Sequence, residues 1–129
     1  CYGTPVRVSG VTELDRALLV TGFPYDIRTS PVTNLDHFDR FMTKARAVRR
    51  LGSAALDLSY VACGRFDGFW ELKLHPWDVA AGALIAEEAG CTVTSPSGGP
   101  FEIEEAKFLA AATPPLHAEL LELVGRIGL

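Results

Sequence analysis

The most regular pattern in the chain is a spacing of three or four residues between apolar positions, which places them on one face of an α-helix. Helices are predicted on this basis at residues 34–48, after Ser53, at about 76–88 and at 116–127. Asn34 and Ser53 are typical N-cap residues, and Gly64 and Gly90 stand where a helix C-terminus favours glycine. A shorter helix or turn is expected over residues 12–16, with Thr12 as its cap.

Other segments have the short length, the alternation or the β-branched content of strands, and they lie at residues 6–10, 17–21, 66–74, 91–94 and 108–112. In the third of these, alternation puts Trp70 on one face and Glu71 on the other. Because strands and helices alternate along the chain, the pattern predicts an α/β fold with a mixed, largely parallel sheet between helices in αβα layers.

The length of 129 residues predicts one domain, residues 1–129, with a core of its own. Residues 2–5 have the composition of an internal turn. The first residues are therefore interpreted as the cut end of a longer protein.

Composition narrows the range of partners. The chain carries 12 basic and 16 acidic residues, a formal net charge of -4, and its arginines are scattered. Nucleic acid is not expected as a partner, because binding to phosphates needs a basic face. Neither an apolar run of roughly 20 residues nor a signal peptide is recognised, so no membrane association is expected. The 3 cysteines fit neither a disulfide framework nor a zinc site, and the prediction is a cytoplasmic protein.

Two carboxylates flank the junction between the third strand and the third helix. Glu71 ends the strand, and Asp78 lies in the first turn of the helix. Open α/β sheets bind ligands beyond the carboxyl ends of their strands, so this pair suits a cation or a polar ligand. Each residue also has a structural alternative. Asp78 would stabilise a helix N-terminus by about 0.3 to 1 kcal/mol, and Glu71 would be a solvated strand residue.

A third candidate is the junction of small residues formed by Gly52, Ser53 and Ala54 ahead of the second helix. Polar atoms of a ligand can approach exposed backbone amides at such a junction, although many junctions of this kind are plain caps. The chain's histidines are isolated and lack the spacing of metal ligands, so none of them is expected to be catalytic.

Taken in order, these segments resemble the inositol monophosphatase family. The matching blocks are Leu-Gly-Ser-Ala-Ala-Leu-Asp-Leu (51–58), Gly-Arg-Phe-Asp-Gly-Phe-Trp-Glu (64–71), Pro-Trp-Asp-Val-Ala-Ala-Gly (76–82) and Glu-Ala-Gly (88–90). The last two blocks together are similar to the second of the family's two signatures. An upstream glutamate and an Asp-Pro-Leu-Asp-Gly-Thr element, which supply most metal ligands in the family, do not occur here. The chain thus resembles the C-terminal half only.

The resemblance implies a phosphoric monoester hydrolase that uses Mg²⁺ to release phosphate from inositol monophosphate or a related small polyol phosphate. It implies substrate binding by Gly52, Ser53, Ala54, Glu71 and Asp78. Asp78 would also be the Mg²⁺ ligand, Glu71 would contact the inositol hydroxyls, and no other catalytic residue is assigned. The chain alone is expected to be inactive, because one carboxylate cannot hold two metal ions. The implied partners are a small phosphate ester, the missing N-terminal half and a second copy in a homodimer.

Two questions stay open at this level. Relatives in the superfamily cleave fructose bisphosphate, histidinol phosphate or nucleotide bisphosphates, although Phe-Trp-Glu before Pro-Trp-Asp favours the inositol branch. The alternative function is a non-catalytic binding or assembly module that kept the fold without the metal-binding half. The presence of an Asp-Pro-Leu-Asp-Gly-Thr element in the upstream coding sequence distinguishes the two functions.

Overall fold

Strands and helices alternate along most of the chain. The computed structural model describes residues 3, 5–23, 28–29, 33–72, 74–102 and 107–127, with side chains up to residue 125. After a 3₁₀ helix at Leu14–Arg16, the elements are β1 (Leu18–Thr21), α1 (Leu35–Met42), β2 (Ala47–Arg49), α2 (Ala54–Ala62), β3 (Gly68–Glu71), α3 (Pro76–Glu88), β4 (Thr92–Thr94), β5 (Phe108–Ala111) and α4 (Pro114–Ile127).

The described strands form one sheet in the order β2-β1-β3-β5-β4. β1 pairs in parallel with β2 and β3, and Leu19 lies opposite both Val48 and Gly68. β5 runs antiparallel to both of its neighbours, β3 and β4. Among the described strands, four therefore share a direction and β5 is reversed. The predicted mixed, largely parallel sheet is confirmed.

Each face of the sheet is covered by one pair of helices. α1 and α4 pack on the face that carries Trp70, whose ring lies 4.3 Å from the Phe41 ring between centroids. α2 and α3 pack on the opposite face, around Phe69. Consecutive residues of β3 thus point to opposite faces, as the alternation predicted. The result is the expected αβα layering.

The first predicted helix is shorter than its apolar spacing indicates. α1 ends at Met42, and the Phe41 carbonyl accepts hydrogen bonds from the amides of both Lys44 and Ala45. Residues 47–49 then form β2 rather than a continuation of the helix. Val48 is buried in the same core as Phe41, so the spacing identified its burial but not its backbone. Parallel pairing with β1 overrides the local helical preference of this segment.

Asn34 occupies the predicted N-cap position of α1 without making a capping hydrogen bond, and the capping role predicted for Thr12 is wrong. Asn34 precedes α1, but its backbone is left-handed with φ 68°, and its side chain makes no capping hydrogen bond. The 3₁₀ helix follows Glu13, and no side chain caps it. Ser53, in contrast, caps α2, since its Oγ accepts a hydrogen bond from the Leu56 amide at 3.3 Å. The glycines predicted to end α2 and α3 both have positive φ.

Residues 6–10 were expected to form a strand and do not. They run past the end of α2, where a Cβ on Gly64 would lie 3.3 Å from the Arg7 carbonyl oxygen. The Ser9 hydroxyl donates to the carboxylate of Asp67, which also accepts the Leu18 amide at 2.8 Å. One buried carboxylate therefore joins this segment to the start of β1, and the segment's own backbone does not enter the sheet.

Strand β3 is shorter than the predicted 66–74, and all of its residues are buried. Of the helices in the described residues, none combines the length and the apolar character needed to cross a membrane.

The contact between α2 and α3 gives a test of the fold. A Cβ added at Gly82 would lie 3.0 Å from Leu58 Cβ. Such overpacking lowers the free energy of unfolding by about 1 to 3 kcal/mol, and the better helix propensity of alanine offsets up to about 1 kcal/mol of this loss. Gly82→Ala should therefore lower the free energy of unfolding in urea by about 1 kcal/mol. Gly125→Ala on α4 is the control, because a Cβ there meets nothing within 4 Å. It should raise stability, and equal losses in both variants would contradict the packing described.

Candidate functional site

The site lies at the edge of the sheet where the parallel strands β1, β2 and β3 end. Gly22 follows β1, and Glu71 is the last residue of β3. The helices α2 and α3 begin at this same edge, because they follow β2 and β3 directly. The topology therefore brings the junction at residues 52–54 and the two predicted acids to one end of the sheet.

Glu71 is the most perturbed acid of the site. Its side chain is 8% exposed, and Oε2 has no hydrogen-bond partner among the described residues. Burial, together with the weaker effect of the negative charges of Asp57 and Asp78, raises the pKa of its carboxyl to about 8. The prediction of a solvated strand residue as the alternative is thus wrong, because this carboxylate is in the protein interior.

The Glu71 carboxylate occupies space that any other residue at position 22 would fill. A Cβ built on Gly22 would lie 1.8 Å from Glu71 Oε1. A side chain at position 22 would therefore displace the carboxylate, so its present position depends on glycine there. The sequence offered no signal for this pairing across two strands.

Asp78 is partly buried in the first turn of α3. Its Oδ2 accepts a hydrogen bond from the His75 amide at 3.0 Å, which is the contact that the structural alternative predicted. Its negative charge also raises the pKa of the Glu71 carboxyl. The structure therefore brings the two predicted acids together electrostatically, and Asp78 stabilises the helix start as well.

Two of the three residues in the junction at 52–54 are exposed to solvent. Gly52 has φ 92°, and nothing lies within 4 Å of a Cβ added to it. Gly52 and Ser53 are exposed, and Ala54 is partly buried. Within the described residues, no hydrogen bond joins this junction to Glu71 or Asp78. The junction thus shares an edge of the sheet with the acids and leaves its backbone accessible.

Asp57 is a member of the acidic group that the sequence reasoning missed. It lies in the first turn of α2 and is 1% exposed, and its Oδ1 has no partner among the described residues. Burial raises the pKa of this carboxyl to about 7. A signal was present, because Asp57 is adjacent to the apolar stripe of Leu58 and Val61 and a charge there faces the interior.

The acids do not form a complete metal site. No group of three His, Cys, Asp or Glu side chains in the described parts of the chain is arranged to hold a metal ion. Asp78 fits the role of one carboxylate ligand, since Mg²⁺ is usually bound through one or two carboxylates together with water and substrate oxygens. Further ligands have to come from outside the described residues.

Comparison with known proteins gives consistent matches over nearly the whole chain. The profile described as "Inositol monophosphatase family" matches residues 1–129. Phosphatase IMPL1, chloroplastic, of Arabidopsis thaliana is 44% identical over 124 residues, 96% of this chain and 33% of the relative. Nus factor SuhB of Pseudomonas aeruginosa is 44% identical over 122 residues, 92% of this chain and 44% of the relative.

A solved structure agrees with these sequence matches. The structure of inositol monophosphatase from Anabaena (Nostoc) sp. PCC 7120 matches with a TM-score of 0.93 and 43% identity, covering 97% of this chain and 49% of that one. The chain thus spans between a third and a half of the length of these relatives.

The raised pKa values of Asp57 and Glu71 predict how stability depends on pH. In the folded chain the pKa values of both carboxyls lie above the ordinary range, so folding favours their protonated forms. This contribution to stability is present at low pH and is lost as pH rises through about 7 for Asp57 and about 8 for Glu71. Burial lowers the pKa of His37 and His117, and these groups are neutral above their ordinary value of 6.5. Without divalent cations, the free energy of unfolding should fall by roughly 1 to 2 kcal/mol between about pH 6.5 and 8.5.

Asp57→Asn should reduce this fall, since it removes one buried carboxyl and its charge on Glu71. Asp39→Asn, at an exposed position of α1, is the matched control and should leave the fall unchanged. Urea unfolding at the two pH values measures both variants. A flat profile for the unchanged chain would contradict the burial of the two acids.

Proposed function

The chain belongs to the inositol monophosphatase family, and from this premise we propose that it is the C-terminal half of a Mg²⁺-dependent phosphatase acting on inositol monophosphate or a related small polyol phosphate. The observation that carries the proposal is the buried Glu71 carboxylate with its unpartnered Oε2. An unsatisfied buried polar atom costs about 1 to 3 kcal/mol. A donor from outside the described chain is therefore expected there, and polyol hydroxyls are suitable donors.

Each residue of the site has a role in this proposal. Glu71 accepts hydrogen bonds from the polyol and so fixes its orientation. Asp78 supplies one oxygen ligand to Mg²⁺, and the junction of Gly52, Ser53 and Ala54 presents backbone amides to polar atoms of the substrate. When bound, Mg²⁺ would stabilise the negative charge of the phosphate ester. The remaining metal ligands and the group that activates water belong to the half of the protein that this chain lacks.

The outer surface of α2 and α3 supports a missing half that packs on this chain. Most of its exposed residues before Glu87 and Glu88, the last two residues of α3, are apolar, and we call this apolar set the α2–α3 outer face: Leu56, Trp77, Ala80, Ala81, Leu84 and Ile85. Trp77 is 75% exposed and Leu84 60% exposed. Neither helix contains a lysine or an arginine. Helices that carry apolar residues on their outward face as well as on their inward face are usually covered on both faces.

The opposite pair of helices has a different surface. α1 exposes Asp36, Asp39 and Arg40, and α4 exposes Glu119 and Glu122. These are ordinary amphipathic helices with a solvated face. The contrast favours burial of the α2–α3 outer face, and we propose that the N-terminal half of the same protein covers it.

Two further assignments remain proposals. A homodimer rests on the resemblance to the family. A cytoplasmic location is supported by the free thiols of Cys63 and Cys91.

A second candidate is a non-catalytic binding or assembly module. Its support is the similarity to a protein named Nus factor SuhB, together with the α2–α3 outer face. An upstream coding sequence without the Asp-Pro-Leu-Asp-Gly-Thr element would favour this candidate over the phosphatase.

The phosphatase proposal predicts that activity requires both halves. Residues 1–129 should release no phosphate from inositol monophosphate with Mg²⁺, whereas the full-length protein should. In the full-length protein, Asp78→Asn should lower kcat by at least about 100-fold, because it removes a metal ligand. Glu71→Gln should mainly raise KM, by roughly 10-fold or more, because it replaces the carboxyl that accepts the polyol's hydrogen bonds with an amide. Steady-state phosphate release measures both effects, with exposed Asp39→Asn as control. Equal, negligible effects of the first two changes would reject the site.

The docking of the missing half predicts a difference between two exposed apolar positions. Leu84→Lys should weaken capture of the separately expressed N-terminal half by residues 1–129 by roughly 10-fold or more, because a buried leucine contributes about 1.5 to 3 kcal/mol. Met42→Lys is the matched control, since Met42 is 46% exposed on α1. It should leave capture unchanged, and equal weakening by both changes would argue against the assigned face. If residues 1–129 alone form a dimer that Leu84→Lys dissociates, the occupant is a second copy instead.

A further inference from the structure

The amide of Asn34 is the centre of a buried polar cluster at the same edge of the sheet. Its Nδ2 donates to Thr21 Oγ1 at 2.9 Å and to the Gly22 carbonyl at 2.8 Å, and its Oδ1 accepts from the Trp70 indole at 2.6 Å. Thr21 Oγ1 in turn donates to the Trp70 carbonyl at 2.6 Å. Asn34 is only 3% exposed. Its amide thus connects the ends of β1 and β3.

The backbone of Asn34 is part of this arrangement. Its φ of 68° is the one positive value among non-glycine residues in the described chain. Asparagine adopts this left-handed conformation more readily than most residues. Because helix capping does not use the side chain, the amide is free to hold the strand ends, which explains the failure of the cap prediction in physical terms.

The cluster lies on the face of the sheet opposite to Glu71. Trp70 packs with α1 and α4, whereas Glu71 follows it on the strand and therefore points to the α2–α3 side. Gly22 is the link between the two faces. Its carbonyl is held by Asn34, and its Cα lies directly against the Glu71 carboxylate.

We propose that Asn34 is a positioning residue for substrate recognition: by fixing Gly22 and Trp70, it holds the Glu71 carboxylate in the place where it meets the polyol. The inference rests on the proposed function for the identity of the ligand. Loss of the amide frees the end of β1 to move relative to β3. Glu71 then has no fixed contact surface at Gly22, and recognition of the polyol weakens while the metal side at Asp78 is untouched.

The test uses the full-length protein and two substrates, inositol monophosphate and 4-nitrophenyl phosphate, which has no polyol. Asn34→Gly removes the amide and accepts the left-handed backbone without strain. It should raise KM for inositol monophosphate by roughly 10-fold, the effect of about 1.4 kcal/mol, and change the kinetics with 4-nitrophenyl phosphate by less than about 2-fold. In a Glu71→Gln background the same change should have no additional effect on KM. Equal losses on both substrates, or multiplicative effects in the double variant, would overturn the proposal.

Thr21→Val is a second variant, which removes one hydroxyl of the cluster and keeps the β-branched shape suited to β1. It should give a smaller rise in KM with the same selectivity for inositol monophosphate. Thr113→Val is its control, because the Thr113 hydroxyl bonds the Val11 carbonyl far from the cluster. This control should leave KM unchanged for both substrates. A rise in KM selective for inositol monophosphate would count against the positioning role of Asn34.

Thermal unfolding of residues 1–129 separates this inference from the proposed function. If the full-length protein releases no phosphate, the proposed function fails. The positioning role is then decided by the Tm values of Asn34→Gly, Glu71→Gln and the double variant. Non-additive shifts support the contact between Asn34 and Glu71 through Gly22, and additive shifts overturn it.

Discussion

The burial of the Glu71 carboxylate at the end of β3 is the constraint on which the site depends. An ionised group in the interior is unfavourable unless it is paired, and here the neighbouring charges of Asp57 and Asp78 make ionisation harder still. The chain nonetheless holds a carboxyl group there, with its pKa raised to about 8, with glycine opposite it and with the strand ends held together by hydrogen bonds on the other side of the sheet. Such an arrangement has a physical reason when a ligand or a second polypeptide supplies the missing donor.

The two faces of the sheet serve different purposes. On one side, amphipathic helices α1 and α4 separate the core from water. On the other, α2 and α3 pack so closely that Gly82 meets Leu58 directly, and most of their outward residues before Glu87 are apolar. The acids of the site are on this second side, at the helix starts. The helix layer that carries the site is thus also the layer with the exposed apolar surface. The proposed interface and the proposed site therefore lie beside each other.

The sequence predicted the elements that depend on local pattern. α3 was expected over about 76–88 and lies at Pro76–Glu88, and β5 is a fully buried strand as its apolar run indicated. Features that depend on contacts distant in sequence were not predicted. The spacing at residues 45–48 fitted a helix, but pairing with β1 made it β2. The role of Asn34 depends on Trp70, and that of Gly22 depends on Glu71, so neither role can be predicted from neighbouring residues in the sequence. Asp57 is the intermediate case, since its place beside an apolar stripe was visible in the sequence.

The strand order has a consequence for how this polypeptide reaches its native state. β5 lies between β3 and β4, although both of those strands precede it in the chain. During synthesis, β3 keeps one unpaired edge, and β4 has no neighbour in the sheet, until residues 108–111 have left the ribosome. Assembly of the sheet therefore waits for nearly the whole chain, and an open strand edge in the meantime is a site for pairing with other chains. This order of strands thus leaves β3 open to pairing with another chain until β5 is in place.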